Sequence, residues 1–182
     1  RMNKDSSLSA YDLLNNYEEN DLENLFTRFG DFKVVESKRL TKSIVAARSS
    51  GVLKTTFQLA SSIESLVPKK IRNQFLARVF QAIRIEVNQE LNALVDFLNQ
   101  LPRILKKDGI ISIITYHSLE DRLVKNFLKK GNLEGQLEKD FFGNPIKPFS
   151  EVTRKPVIPS EDEIKLNSRA RSAKLRIGER NV

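Results

Sequence analysis

The residues best suited to chemistry in this chain are clustered in one short stretch, Tyr116-His117-Ser118-Leu119-Glu120-Asp121-Arg122. His117 is the single histidine. An imidazole can serve as a general base near neutral pH or contact a phosphate. Ser118, His117 and Asp121 can be drawn as a nucleophilic triad. Adjacent residues at a helix start point apart, however, and a serine that caps a helix is already engaged. Glu120 and Asp121 are paired carboxylates, but neighbours on a helix project about 100° apart, which argues against a shared ion. There is no cysteine, so disulfides and thiolate metal sites are excluded, and one histidine alone does not suggest zinc. No metal site is therefore expected. Neither a phosphate-cradling glycine loop nor a Gly-rich dinucleotide fingerprint is present.

These residues need elements to hold them. Ile110–Thr115 is a short apolar run after the Asp108–Gly109 breaker, and its length and isoleucines predict a buried strand. Ser118-x-x-Asp121 predicts a capping box at the start of a helix, with acids at the positive end of its dipole. Lys129 and Lys130 sit at the other end, and Gly131 offers a left-handed stop. Tyr116 and His117 thus fall between the carboxyl end of a strand and the amino end of a helix, where open α/β sheets bind ligands. A well-capped turn accounts for Ser118, Glu120 and Asp121 without any function. It leaves His117 and Arg122 unexplained.

Upstream the pattern is helical. Ser9 is expected to cap a helix through Asn16, and Asn20 a second one from Asp21 to Phe29 ended by Gly30. A third runs from about Phe32 to Ser49, and Thr55 or Thr56 caps a fourth to about Leu66, closed by Pro68. Phe80, Ile83, Val87, Leu91, Leu94 and Leu98 then form the longest stripe at helical spacing, which predicts one amphipathic helix. Gln81, Arg84 and Asn88 run beside it as a polar row, and the helical pattern continues to Lys107 with Pro102 as a break or first turn. After Gly131 the period is lost. Residues 141–145 read as an exposed loop or hairpin turn, and prolines divide Phe149–Ile158 into extended pieces. Ser160 and Glu163 begin a short helix to about Asn167. Ala173, Leu175 and Ile177 alternate with Lys174 and Arg176 as a half-buried strand. The fold class is therefore α/β, with about 100 helical residues before about 80 of mixed structure. One buried strand and one or two edge strands do not make a stable sheet. That shortage, and an opening Arg1-Met2-Asn3 with methionine second, lead us to expect that the chain is cut from something longer.

The formal net charge is +8 at a pI of about 9.7, and it is unevenly spread. Residues 1–36 hold 4 Lys/Arg against 8 Asp/Glu, residues 37–84 hold 10 against 1, and residues 164–182 hold 6 against 1. Two basic blocks favour a polyanionic partner, nucleic acid before membrane. There is no apolar run of the roughly 18 residues a membrane span needs, and no signal-like start, so a cytoplasmic setting is expected.

Four stretches together carry a family resemblance: Arg1-Met2-Asn3, Phe80 to Leu91 (FQAIRIEVNQEL), Tyr116 to Lys125 (YHSLEDRLVK) and Asn167 to Arg176 (NSRARSAKLR). In this order and spacing the chain resembles the ribosomal RNA small-subunit methyltransferase H family along nearly its whole length. The resemblance implies transfer of a methyl group from S-adenosylmethionine to the N4 amine of a cytidine in the decoding region of 16S rRNA. It implies a Rossmann-like methyltransferase domain with an all-helical domain inserted. On that pattern residues 1–100 are the inserted helical domain, for RNA recognition, and 101–182 the last part of the catalytic domain. The glycine-rich cofactor loop would lie in an absent N-terminal half, with Asn3 the nearest residue here. The chain departs from the family at Tyr116, where a phenylalanine is common, and at Gln74-Phe75-Leu76-Ala77, where His-Pro-Ala-Thr is common.

By this resemblance Tyr116 and His117 line the cytidine pocket, and Arg122 and Lys125 hold phosphate or shape the turn. Arg84 and Asn88 face the cleft, while Arg169, Arg171, Lys174 and Arg176 track the RNA backbone. The small-subunit rRNA, within the 30S particle, is the expected partner. The oligomeric state is left open, a homodimer among the options. The competing expectation is an RNA-binding or scaffold fragment with no activity as it stands.

Overall fold

The computed structural model describes residues 8–181, so the Arg1-Met2-Asn3 motif and the expectation for Asn3 lie outside the described residues. The chain forms two compact units, the first ending at Glu90 and the second running from Leu91.

The first unit is helical: α1 (Ala10–Asn16), α2 (Glu19–Phe29), α3 (Val34–Ser50), α4 (Thr56–Ile63) and α5 (Arg72–Asn88). Ser9 caps α1 and Thr55 caps α4 through reciprocal bonds with Asp12 and Gln58, as their spacing predicts. The expected cap at Asn20 is not formed. α2 starts two residues earlier, behind Glu18, without a side-chain cap. Leu22, Leu25 and Phe26 of α2 pack with Leu40 and Ile44 of α3 and Val79 and Ile83 of α5 in one apolar core. Polar clamps close the joints. The Asn15 side chain bonds both backbone groups of Leu53, at 2.9 and 3.0 Å, and Arg48 donates to the carbonyls of Leu14 and Tyr17 at 3.2 and 2.6 Å. The last two are carbonyls freed at the end of α1.

The long stripe is not one helix. α5 stops at Asn88, Gln89 adopts the left-handed region at φ 52°, and α6 (Glu90–Ile104) begins anew. The stripe is thereby divided. Ile83 and Val87 join the first core, and Leu98 joins the second, with Leu94 packed against it. A stripe at period 3.6 reports burial on one side but not against what, and no glycine marks the break.

The second unit holds α6, β1 (Ile110–Thr115), α7 (Ser118–Lys130), β2 (Phe149–Glu151), α8 (Glu161–Leu166) and β3 (Lys174–Arg180). Its sheet has the order β1-β3-β2 with both pairings antiparallel; β1 faces β3 from Ile110 opposite Glu179 to Thr115 opposite Lys174. Among the described residues β1 is thus an edge strand, buried on one face only. Ile113 and Thr115 turn into the core with Val124, Phe127 and Leu128 of α7, while Ile110 and Ile114 are 53% and 57% exposed. β3 is reversed from its expected parity. Arg176 and Gly178 face the core side, and a Cβ at 178 would come within 2.4 Å of Leu128. The sequence alternation of Leu175 and Ile177 was a true alternation attached to the other face. No helix among the described residues is long and apolar enough to cross a membrane.

Candidate active-site turn

β1 ends at Thr115 and α7 begins at Ser118, so Tyr116 and His117 occupy the whole connection. The cap is His117, not Ser118. His117 has extended dihedrals, and its Nδ1 accepts the Glu120 amide at 3.3 Å. Glu120 answers as the third helical residue. Its Oε2 accepts the amides of Tyr116 at 2.8 Å and His117 at 3.4 Å. The sequence contains two overlapping patterns, Ser-x-x-Asp and His-x-x-Glu, and the second one wins because Asp121 is drawn elsewhere.

An Nδ1 that accepts leaves the proton of a neutral ring on Nε2. That atom is buried, finds no well-aligned hydrogen-bond partner among the described residues, and lies 3.2 Å from Glu120 Oε1. Burial pushes the Glu120 carboxyl up, but the His117 side chain and the Tyr116 amide outweigh it and hold it below its ordinary value. The result is a rigid turn with a carboxylate at its centre. Tyr116 stands on it with 56% of its surface exposed. Arg122 and Lys125 are exposed on the outer side of α7, whereas Asp121 and Val124 face inward.

Asp121 organises the second feature. Its carboxylate accepts from Arg176 Nε at 2.7 Å, Arg176 Nη2 at 3.3 Å and Lys174 Nζ at 3.2 Å. Arg176 Nη1 also lies 3.7 Å from Glu151. Burial opposes ionisation of Asp121, and the bonds from Arg176 and Lys174 overcome it, so its carboxyl titrates below the usual range. Arg176 was expected to track RNA. It is instead buried in the pair that ties β3 to α7, and Lys174 is partly committed to the same carboxylate. Arg169 and Arg171 are exposed on the 3-10 turn Ser168–Ser172, which Asn167 caps.

In the first unit Arg84 and Asn88 do converge, on Glu90. Arg84 grips its carboxylate with both arms of the guanidinium at 2.9 and 3.0 Å, and Asn88 Nδ2 donates to Oε1 at 3.1 Å. Glu90 and Glu151 are not among the residues the sequence singles out, and Glu120 is read there as part of the cap rather than as a partner of His117. The one signal for Glu90 was its place two residues after Asn88 in the FQAIRIEVNQEL stretch.

A strand–turn–helix junction that shows an exposed aromatic beside a half-buried His–Glu cap suits a ligand-binding turn at a sheet edge. Residues 1–181 match the MraW methylase family, and the chain belongs to it. Among curated proteins it is 48% identical over 180 residues to the ribosomal RNA small subunit methyltransferase H of Flavobacterium johnsoniae, covering 99% of this chain and 59% of that protein. It is 47% identical over 182 residues to the protein of that name from Amoebophilus asiaticus, with 100% and 58% covered. For the one from Bacteroides thetaiotaomicron the figures are 47% over 180 residues, 99% and 59%. The chain spans about three-fifths of the length of these relatives.

Proposed function

We propose that the chain is the substrate-side portion of an enzyme that methylates the N4 amine of a cytidine in the decoding region of small-subunit rRNA. The observation that carries this reading is the β1–α7 turn, where the backbone beneath exposed Tyr116 is held by Glu120 and its cap His117. An exocyclic amine of cytosine is a weak nucleophile, because its lone pair is delocalised into the ring. A site must therefore hold the base out of its stack and accept hydrogen bonds from the amine. Tyr116 offers an exposed ring for the base, and Glu120, capped by His117, holds the backbone that carries it. Arg122 and Lys125, exposed one helical turn apart, are free for phosphates, and so are Arg169 and Arg171. Lys174 takes part at most through its exposed side, and Arg176 acts only by positioning β3. Arg84 and Asn88 take part through Glu90, whose carboxylate they hold.

The methyl donor of such an enzyme is S-adenosylmethionine. The described residues do not fit it as a cradle. The glycines at positive φ, Gly131, Gly135 and Gly143, each serve a local turn, and none opens a glycine-rich loop between strand and helix. The donor's contacts are therefore assigned to a part of the protein outside these residues. The family length beyond this chain makes room for it. In the same reading the three-stranded sheet is one end of a larger Rossmann-like sheet. The unpaired edge of β1 and the open face at Ile110 and Ile114 support that. In this reading the first unit, through Glu90, belongs to the inserted helical domain and the second, from Leu91, to the end of the catalytic one, ten residues before the boundary expected at 100. The setting is cytoplasmic, on the 30S particle.

The test is methyl transfer to small-subunit rRNA by the full-length protein. Tyr116→Ala and His117→Ala are each expected to lower kcat/KM by about 100-fold, the scale on which misplaced substrate geometry acts. Unchanged transfer in both variants would show that the turn does not meet the base.

A further inference from the structure

One segment plays no part in that site. Lys139 and Pro145 form an isolated antiparallel bridge, and the chain between them turns around a single side chain. Asp140 Oδ1 accepts the amides of Phe142 at 2.9 Å and Asn144 at 2.8 Å, and its Oδ2 accepts from Asn144 Nδ2 at 3.1 Å. The backbone closes the same loop. The Asp140 amide donates to the Asn144 carbonyl at 2.9 Å, and the Gly143 amide to the Asp140 carbonyl at 3.0 Å. Gly143 is required by its φ of 86°, not by a neighbour, since a Cβ there would meet nothing within 4 Å.

What this ordered turn displays is two bare aromatic rings. Phe141 is 98% exposed and Phe142 84%, with ring centroids 5.7 Å apart and planes at 87°. Neither belongs to either apolar core. Single exposed apolar residues are ordinary, but two adjacent phenylalanines held outward by five local hydrogen bonds are not explained by the fold. Exposed Lys139 precedes the rings, and Lys147 follows them on the other arm. The one acid between these lysines, Asp140, is occupied by amides. The turn therefore offers aromatic faces in two directions, with one lysine on each arm of the chain, exposed Lys139 next to Glu138 and half-buried Lys147. Sequence-tolerant recognition of single strands uses this combination, with bases stacking on rings and phosphates meeting cations. A protein socket for an apolar plug would have no use for the cations.

We propose that the Phe141–Phe142 turn is a binding site for unpaired RNA, in which two nucleobases stack on the two rings while Lys139 and Lys147 meet the adjoining phosphates. The proposal rests on the rRNA-directed reading above and adds to it a contact separate from the β1–α7 turn.

The test is binding of a mixed-sequence single-stranded RNA oligonucleotide to the full-length protein across a series of salt concentrations. Phe141→Ala/Phe142→Ala is expected to weaken binding by about tenfold or more, the loss of base–ring stacking. The slope of log K against log salt should stay unchanged, because no phosphate contact is removed. Lys139→Ala/Lys147→Ala should instead flatten that slope. Phe141→Leu/Phe142→Leu keeps the apolar bulk and removes the aromatic faces, so it should behave like the alanine pair. Leucine variants that bind RNA as tightly as the unchanged protein would overturn stacking and point to an apolar plug for a protein. If the unchanged protein binds RNA and the alanine pair binds it equally, the turn is not the site and the methylation reading survives. If the unchanged protein binds no RNA at all, both readings fall. Circular dichroism should be identical for all variants, since the rings lie outside both cores.

Discussion

In the helical unit each apolar stripe ends against another helix, and the polar groups do the fastening at the joints, as Arg48 and Asn15 do. In the mixed unit the sheet is covered on one face, its other face carries exposed isoleucines, and a buried charge cluster joins strand to helix. The difference shows where hydrophobic pattern decides a fold and where it does not. In the first unit burial follows the period of the stripe. In the second, Arg176 takes a core-side position that a side chain of its type almost never holds unless paired, and Asp121 is what makes it tolerable.

The largest expected effects break the two units separately. Asp121→Ala leaves buried Arg176 without its bidentate partner and with only Glu151, at 3.7 Å, to face its charge. It should cost the second unit about 3–5 kcal/mol, the range for breaking a buried pair from one side. Phe26→Ala should cost the first unit about 3–5 kcal/mol through lost burial and a cavity. Amide hydrogen exchange under mild denaturant reads the two units apart. If Asp121→Ala weakens protection in α2 and α5 as much as in β3, the units unfold together and the contrast fails. A smaller effect is expected from Ser9→Ala, which removes the cap of α1 and should lower the stability of the first unit by about 1 kcal/mol.

The smallest effects are in pH, with opposite signs for the two units. Glu120 and Asp121 titrate below their ordinary values when folded, so their contribution is present above the usual carboxylate range. It is lost as pH falls through the folded values. Tyr17 goes the other way. Burial, then its hydrogen bond to Glu86 at 2.9 Å, push its hydroxyl up from 10.0 to about 12. Its contribution is full below pH 10 and is lost as pH rises toward 12. Acid should therefore loosen the mixed unit first and alkali the helical one. Tyr17→Phe should abolish the alkaline effect in a denaturant series at several pH values. A chain whose helical unit weakens first in acid would contradict this assignment.

Much of this was legible in the residues, and the exceptions share a cause. Ser9, Thr55 and Ser160 cap helices where their spacing says, because a cap is decided within four residues. Ile110–Thr115 is a strand and Gly131 a left-handed stop, for the same local reasons. The turn at Tyr116 and His117 is legible in the residues, but the Ser-x-x-Asp pattern points to a cap one residue past His117. Two local solutions were available, and the choice rests on Arg176, which lies 55 residues from Asp121. The same distant pair set the parity of β3. The break at Gln89 had no glycine or proline to announce it. Non-local partners, absent from any window of sequence, decided each of these points.

One consequence lies in the position of β3. It is the middle strand, and the only one that touches both of the others. Its Arg180 also donates to the Pro102 carbonyl at 3.2 Å, near the end of α6, where a helix carbonyl has no partner of its own. The piece that joins β1 to β2, pairs with α7 and helps finish α6 is thus the last of these elements to be synthesised. On a translating ribosome the helical unit can assemble as soon as α5 emerges. The mixed unit must wait, with Phe127, Leu128 and Phe149 uncovered, until residue 180 is made.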